Sequence, residues 1–289
     1  MYNNCVYTFL STERKIPMKF DGILLVSDMD GTLLTEEKTI SKENLEAIRY
    51  FRENGGKFTV ASGRVYQSLE SYFDELTPDI PVISHNGGVI KNPATNEFLY
   101  AKRLFGNYKE VVSDIHKKYP WLGIEAFIPE EILFFTDNPY VRKHINDEKI
   151  FPDNKIDWHS LEEETPDWCK VLMAAETHEI DMLEKDIPPL YPQYSFVRSE
   201  DHYFELLPHG VHKGSALTEL LNILKISPDK CYAVGDNMND KEMLAVAGCG
   251  IAVANANQGL KELADVVLPV TCEEHVIKAV VEMLDKGTI

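Results

Sequence analysis

Two carboxylates one residue apart, Asp28 and Asp30, stand in Asp28-Met29-Asp30-Gly31-Thr32, directly after the apolar run at 23–26. A pair at this spacing can divide the work of group transfer, one acid attacking or holding a metal while the other moves a proton. Ser62-Gly63-Arg64 follows a second apolar run at 58–61, and Lys213 opens an amphipathic stretch. Gly235-Asp236-Asn237-Met238-Asn239-Asp240 follows a third run at 231–234. Taken singly, each cluster reads as ordinary turn chemistry, since Ser beside Gly favours turns and a first-turn lysine is usually solvated. Four such clusters at element ends point to one composite site.

The elements that must position them follow from periodicity. Ser41 as N-cap, Leu45, Ile48 and Phe51 on one face, and Gly55-Gly56 as a stop predict a helix joining strand 23–27 to strand 58–61. Leu69, Tyr72, Phe73 and Leu76 predict a second helix before a short strand at 82–84. After Lys213, residues Leu217, Leu220, Leu221 and Leu224 share a helix face. Strands at 231–234, 250–253 and 266–268 then alternate with helices starting near Asn239, Gln258 and Glu273. Repeated strand-helix-strand units predict an α/β fold with a Rossmann-like, doubly wound parallel sheet. Ligands on such sheets bind beyond the strands' carboxyl ends, which is where Asp28, Ser62 and Asp236 fall.

The rhythm changes at Asn86-Gly87-Gly88, where 89–100 reads as a hairpin. The insert that follows predicts a helix around Val111, Val112 and Ile115, strands at 124–127, 132–135, 171–174 and 195–197, and a helix at 179–185. An open sheet with helices on one face accounts for this α+β pattern. The expected organisation is an extension at 1–18, a discontinuous core at 19–84 and 210–289, and an inserted cap at 85–209. Met18 reads as a natural chain start, so residues 1–17 are expected to be a loose leader.

Together these motifs resemble the haloacid dehalogenase-like (HAD) phosphohydrolases, over about 19–284. The agreement is closest at 28–34, Asn86-Gly87-Gly88, 209–216 and 235–247, and the position of the insert resembles the Cof-like branch, class IIB. The resemblance implies that Asp28 is the nucleophile, forming an aspartyl-phosphate, and that Asp30 protonates the leaving alcohol and then activates water, with a pKa raised by its neighbour. Ser62, Lys213 and Asn239 would hold phosphoryl oxygens, Asn239 touching phosphate or Lys213. Mg2+ is the expected cofactor, held by the Asp28 carboxylate, the Asp30 carbonyl and the Asp236 carboxylate, all oxygen ligands. Asp240 would support the metal, while Arg64 and Asn86 would face the substrate. Relatives that displace halide or drive ion pumping lack an acid at the position of Asp30, so its presence implies phosphate ester chemistry. Many relatives have Thr where Ser62 stands, and the hydroxyl survives that exchange.

Composition bounds the partners. The 289 residues carry 29 Lys plus Arg against 47 Asp plus Glu, a net charge of −18 that disfavours binding a nucleic-acid backbone. Between residues 125 and 186 there are seventeen acidic and six basic residues. That excess reads first as a solvated face and second as a device that discourages highly charged substrates. Five cysteines, odd in number and without a C-x-x-C pair, argue against a disulfide framework or structural zinc and favour the cytoplasm. His209 and His212, three apart beside Lys213, read as loop residues rather than a metal pair. No stretch is long and apolar enough to span a bilayer. The expected function is therefore magnesium-dependent hydrolysis of small phosphorylated metabolites, sugar phosphates or phosphorylated cofactors. A sugar phosphomutase and a non-catalytic metabolite-binding regulator are the alternatives, and neither the substrate nor the oligomeric state is legible.

Overall fold

The computed structural model describes residues 18–129, 131–148 and 156–289. The expected leader at 1–17 lies outside the described residues. Strand β1 (Leu24–Ser27) is buried at every position, the pattern of a central parallel strand covered on both faces. Helix α1 (Lys42–Glu53) starts where Ser41 accepts a hydrogen bond from the Asn44 N–H, and it buries Asn44, Ala47, Ile48 and Phe51 as one stripe. After β2 (Lys57–Val60) the predicted single helix divides into α2 (Tyr66–Glu70) and α3 (Phe73–Leu76). The Ser71 hydroxyl donates to the Ser68 carbonyl at 2.7 Å, a local bond that competes with helix continuation.

Next come β3 (Val82–Ser84) and the hairpin β4 (Val89–Asn92) and β5 (Glu97–Ala101). Ile90 and Tyr100 of this hairpin pack with the core that includes Leu24 and Val234, not with the inserted sheet. The insert runs α4 (Tyr108–Lys118), β6 (Gly123–Ile128), β7 (Glu131–Thr136), α5 (Pro139–Glu148), β8 (Lys170–Ala174), α6 (Thr177–Asp186), β9 (Tyr194–Glu200) and β10 (Tyr203–Pro208). The chain then returns through α7 (Lys213–Leu224), β11 (Cys231–Gly235), α8 (Lys241–Val246), β12 (Cys249–Ala252), α9 (Gln258–Leu263), β13 (Val266–Val267) and α10 (Val276–Lys286).

The core sheet has the order β13-β12-β11-β1-β2, all parallel, and an isolated bridge from Ala61 to Ile83 carries it on to β3. Because β1 lies between β2 and β11, the loops bearing Asp28, Ser62 and Asp236 leave three adjacent strands at the same end.

The second sheet is antiparallel, in the order β7-β6-β8-β10-β9. Ile124, Ala126, Val171, Met173, Phe204 and Leu206 pack with α4 and α6 on one face. Phe127, Leu172 and Tyr203 turn to the other face, where they meet Val141 and Ile145 of α5 and Val65 of the core. Helices therefore lie on both faces, against the expectation of one. Asn138 starts α5 by accepting from the N–H groups of Tyr140 and Val141, with Pro139 as the first helical residue.

Candidate active site

Asp28 begins the loop after β1 and is buried, with 5% of its surface exposed. Lys213, the first residue of α7, is 1% exposed, and its Nζ lies 2.6 Å from both Asp28 Oδ1 and Asp240 Oδ1. His212 caps that helix, its Nδ1 accepting from the Ser215 N–H, which is a structural role rather than a metal-binding one. Gly87, at φ +95, lets the loop after β3 pack against this helix start, since a Cβ there would lie 2.3 Å from the His212 carbonyl.

Asp240 Oδ2 accepts from the N–H groups of Asp236 and Asn237 at 3.0 and 3.3 Å, so Asp240 braces both Lys213 and the Asp236 loop. Carboxylate oxygens of Asp28, Asp236 and Asp240 lie within 4.8 Å of one another. Burial pushes the Asp28 carboxyl up to about 7, with Asp240 and Asp30 adding to the shift and Lys213 opposing it. Burial and the neighbouring Asp28 and Asp240 likewise raise Asp236 well above its ordinary value. One lysine does not neutralise three carboxylates. An all-oxygen cluster with surplus negative charge fits a hard divalent cation. Asp28 and Asp236 each engage one oxygen, with Lys213 and Thr32, and keep the other for it, whereas both Asp240 oxygens are taken by Lys213 and backbone N–H groups. Gly31 leaves room for the cluster: at φ +73, a Cβ there would lie 2.4 Å from Asp236 Oδ2.

Asp30 departs from expectation. Its oxygens receive Arg64 Nε and Nη2, each at 2.7 Å, and Lys38 Nζ at 2.6 Å. Burial pushes its carboxyl up, but Arg64 and then Lys38 outweigh burial and hold it well below the usual carboxylate range. The raised pKa expected from a neighbouring acid is thus replaced by a lowered one, because two cations bond both carboxylate oxygens directly.

Ser62 is buried, lines the cavity, and accepts from the Arg64 N–H at 3.1 Å. Asn239 also lines the cavity, but its amide donates to Asn86 Oδ1 at 3.0 Å, whereas the partners of Lys213 are Asp28 and Asp240. Asn86, at φ 52 in the left-handed region, passes the connection on, donating to Glu205 Oε2 of β10 at 2.6 Å. Asn86 therefore ties the core to the second sheet and is not among the residues lining the cavity.

A cavity of about 330 Å³ collects these groups. It also contains residues that the motifs did not mark: Lys38, His144, Lys170, Glu200 and Glu205. Lys170 Nζ donates to the Gly63 carbonyl at 2.9 Å and to Glu205 Oε1 at 3.2 Å. Asn237 Nδ2 donates to the Ser199 carbonyl at 2.9 Å, a further tie between the two sheets. The available signal was a charged residue inside an apolar strand, as with Glu205 in Tyr203-Phe204-Glu205-Leu206-Leu207.

The profile of the haloacid dehalogenase-like hydrolases matches residues 25–280. The chain belongs to that family, in its Cof-like phosphatase branch. A 5-amino-6-(5-phospho-D-ribitylamino)uracil phosphatase of Bacillus subtilis, YwtE, is 31% identical over 260 residues, covering 81% of this chain and 88% of that protein. A second B. subtilis phosphatase of the same description, YitU, is 26% identical over 86% of this chain and 92% of its own length. Among solved structures, a haloacid dehalogenase-like hydrolase from Bacteroides thetaiotaomicron superposes with a TM-score of 0.76 at 28% identity, covering 91% of this chain and 99% of that one. A HAD subclass IIB sugar phosphatase shares the fold, with a TM-score of 0.77 at 23% identity over 92% of this chain and 100% of its own.

Proposed function

We propose that this HAD-like hydrolase cleaves phosphate monoesters of small metabolites with magnesium, through an aspartyl-phosphate on Asp28. The observation that supports it most is the buried Asp28, held by Lys213 at the mouth of three adjacent strands and open to the cavity. Small phosphorylated metabolites as substrates are supported by the relatives named as phosphatases of a phosphorylated ribitylamino-uracil.

On this reading an Asp28 carboxylate oxygen attacks phosphorus as the bond from phosphorus to the ester oxygen breaks, and Asp30 gives its proton to the departing oxygen. Asp30 then takes a proton from water, whose oxygen attacks the phosphoryl group. The bond from phosphorus to Asp28 breaks, releasing phosphate and restoring the carboxylate. Lys213 offsets charge on Asp28 and the phosphoryl oxygens, while the Ser62 hydroxyl donates to one of them. Magnesium, held by Asp28, Asp236 and the Asp30 carbonyl, would supply charge neutralisation for a phosphoryl group entering an acidic site. Asp30 can carry a proton only when the Arg64 and Lys38 contacts loosen, so part of the substrate's binding energy goes into parting them.

Phosphate release from a panel of phosphorylated metabolites, with and without magnesium, tests this when wild type is compared with Asp28→Asn. Magnesium-dependent release that Asp28→Asn abolishes is expected. Equal release by both proteins rules out the covalent route.

A further inference from the structure

The cavity's wall on the inserted domain carries four carboxylates, Asp147 and Glu148 from α5, Glu200 from β9 and Glu205 from β10. Three of them are occupied. Asp147 pairs with Lys143 at 2.5 Å, Glu148 with His144 at 3.3 Å, and Glu205 with Lys170 at 3.2 Å and Asn86 at 2.6 Å. Glu200, the last residue of β9, has no side-chain hydrogen bond or ion pair among the described residues. It nevertheless lies in the cavity with Asp30 and Lys38. Burial raises its pKa, and the charges that act on it next are Asp30 and Lys38. Its backbone is fixed by its neighbour, since the Ser199 carbonyl accepts from Asn237 of the core.

The cations of the same cavity are all committed. Lys38 and Arg64 hold Asp30, Lys170 holds Glu205 and the Gly63 carbonyl, and His144 lies between Glu125 and Glu148. Among the described residues of this wall, a leaving group with a second phosphate or a carboxylate would meet no uncommitted cation and one uncommitted carboxylate. Glu200 is half-buried and faces the cavity without a protein donor among the described residues, so a ligand hydroxyl or ammonium placed there gains a charge-assisted hydrogen bond.

Building on the phosphatase reading, we propose that Glu200 is a specificity-determining residue: it accepts a hydrogen bond from a hydroxyl or ammonium on the leaving group and rejects esters carrying a second anionic group. Because Glu200 and Asp30 feel the same lysine, the donor belongs near the ester oxygen that Asp30 protonates. The substrate class is then a phosphate monoester of a polyol or amino alcohol.

A matched pair of probes tests this: glycerol 3-phosphate, with hydroxyl donors beside the ester, and 3-phosphoglycerate, in which a carboxylate replaces a hydroxymethyl group. Affinities are measured by calorimetry with magnesium in an Asp28→Asn background, so the readout does not depend on turnover. Glycerol 3-phosphate is expected to bind at least about tenfold more tightly. Glu200→Gln should shrink that ratio toward one and Glu200→Lys should invert it, an inversion that loss of packing alone does not produce. A ratio unmoved by both substitutions, or a wild-type preference for 3-phosphoglycerate, overturns the proposal. Magnesium-dependent release from p-nitrophenyl phosphate by the wild type reports separately on the phosphatase reading, and its absence would leave the binding ratio to decide on Glu200.

Discussion

Arg64 grips both oxygens of Asp30 at 2.7 Å, and its remaining Nη1 donates to the Asp147 carbonyl at the end of α5, at 3.0 Å. One guanidinium therefore connects the expected proton donor to the inserted domain. The same Nη1 also donates to Ser68 Oγ at 2.9 Å, which fixes the fork in place.

A lysine cannot reproduce that planar, three-way contact. Losing Arg64 eases protonation of Asp30 but unfixes its carboxyl and cuts the tie to α5, and the loss of positioning outweighs the gain. Arg64→Lys and Arg64→Ala are both expected to lower kcat/KM by roughly 10- to 100-fold, about 1.4 to 2.8 kcal/mol of transition-state stabilisation. Steady-state kinetics on a small ester, with circular dichroism to verify the fold, checks this. A change below twofold would mean that the contact with Asp30 is incidental to turnover.

Gly31 combines positive φ with an absent Cβ that would otherwise strike Asp236. Gly31→Ala should cost about 1 kcal/mol in folding stability through backbone strain, while activity falls by far more because the Asp236 carboxylate is displaced. Urea denaturation and phosphate release on the same preparation separate the two effects. Parallel small losses in both would contradict the displacement.

Cation binding should release protons. Asp28 is pushed up to about 7 and Asp236 lies well above its ordinary range, so near neutral pH the pair retains protons that a divalent ion must expel. Apparent magnesium affinity is therefore expected to rise between about pH 6 and pH 8, by up to roughly tenfold per unit for each proton lost. Calorimetry in buffers of differing ionisation enthalpy measures the proton count. A pH-independent affinity with no proton release would show that the cation does not engage these carboxylates.

The core was legible because its elements are long, periodic and capped: Ser41 starts α1 and β1 is a continuous apolar run, so the strand ends bearing Asp28, Ser62 and Asp236 could be read directly. The inserted wall was harder. Helix α5 announces itself only through Asn138-Pro139, and Glu125, Lys170 and Glu205 lie inside apolar strands where hydrophobic runs alone do not register them. The direction of the Asp30 shift is hidden from the sequence for a different reason. Whether a carboxyl is raised or lowered depends on which charge lies nearest, and nothing in the local motif shows that Lys38, eight residues on, folds back at φ 58 to join Arg64.

His144 supplies a pH signature for the same wall. Its Nδ1 is 2.8 Å from Glu125 and its Nε2 is 3.3 Å from Glu148, all three groups being buried. Nδ1 meets Glu125 off the hydrogen-bonding direction, so that contact is attraction between charges. Burial depresses the imidazole pKa, but Glu125 and Glu148 outweigh it and raise it to about 10. Burial pushes Glu148 up, yet His144 and then Arg64 bring it below its ordinary value. A histidine raised in the folded state stabilises fully below its unfolded value of about 6.5, and that stabilisation is lost as pH rises through the folded value. The Glu148 contribution has the opposite sign, present above the unfolded carboxylate value and lost as pH falls through the folded one. The cluster is therefore most stabilising between roughly pH 5 and 6.5. His144→Gln leaves the buried Glu125 without its paired cation and Glu148 with Arg64 alone, and should cost roughly 3 to 5 kcal/mol near pH 6. The gap between wild type and variant should narrow steadily in urea denaturations at pH 6, 8 and 10. A gap constant across that range would mean a neutral His144 that contributes only packing. Because Arg64 also acts on Glu148, Arg64→Ala should widen the stability gap as well as alter turnover, since it leaves His144 as the remaining cation on Glu148, and a gap unmoved by Arg64→Ala would mean that His144 alone carries the cluster.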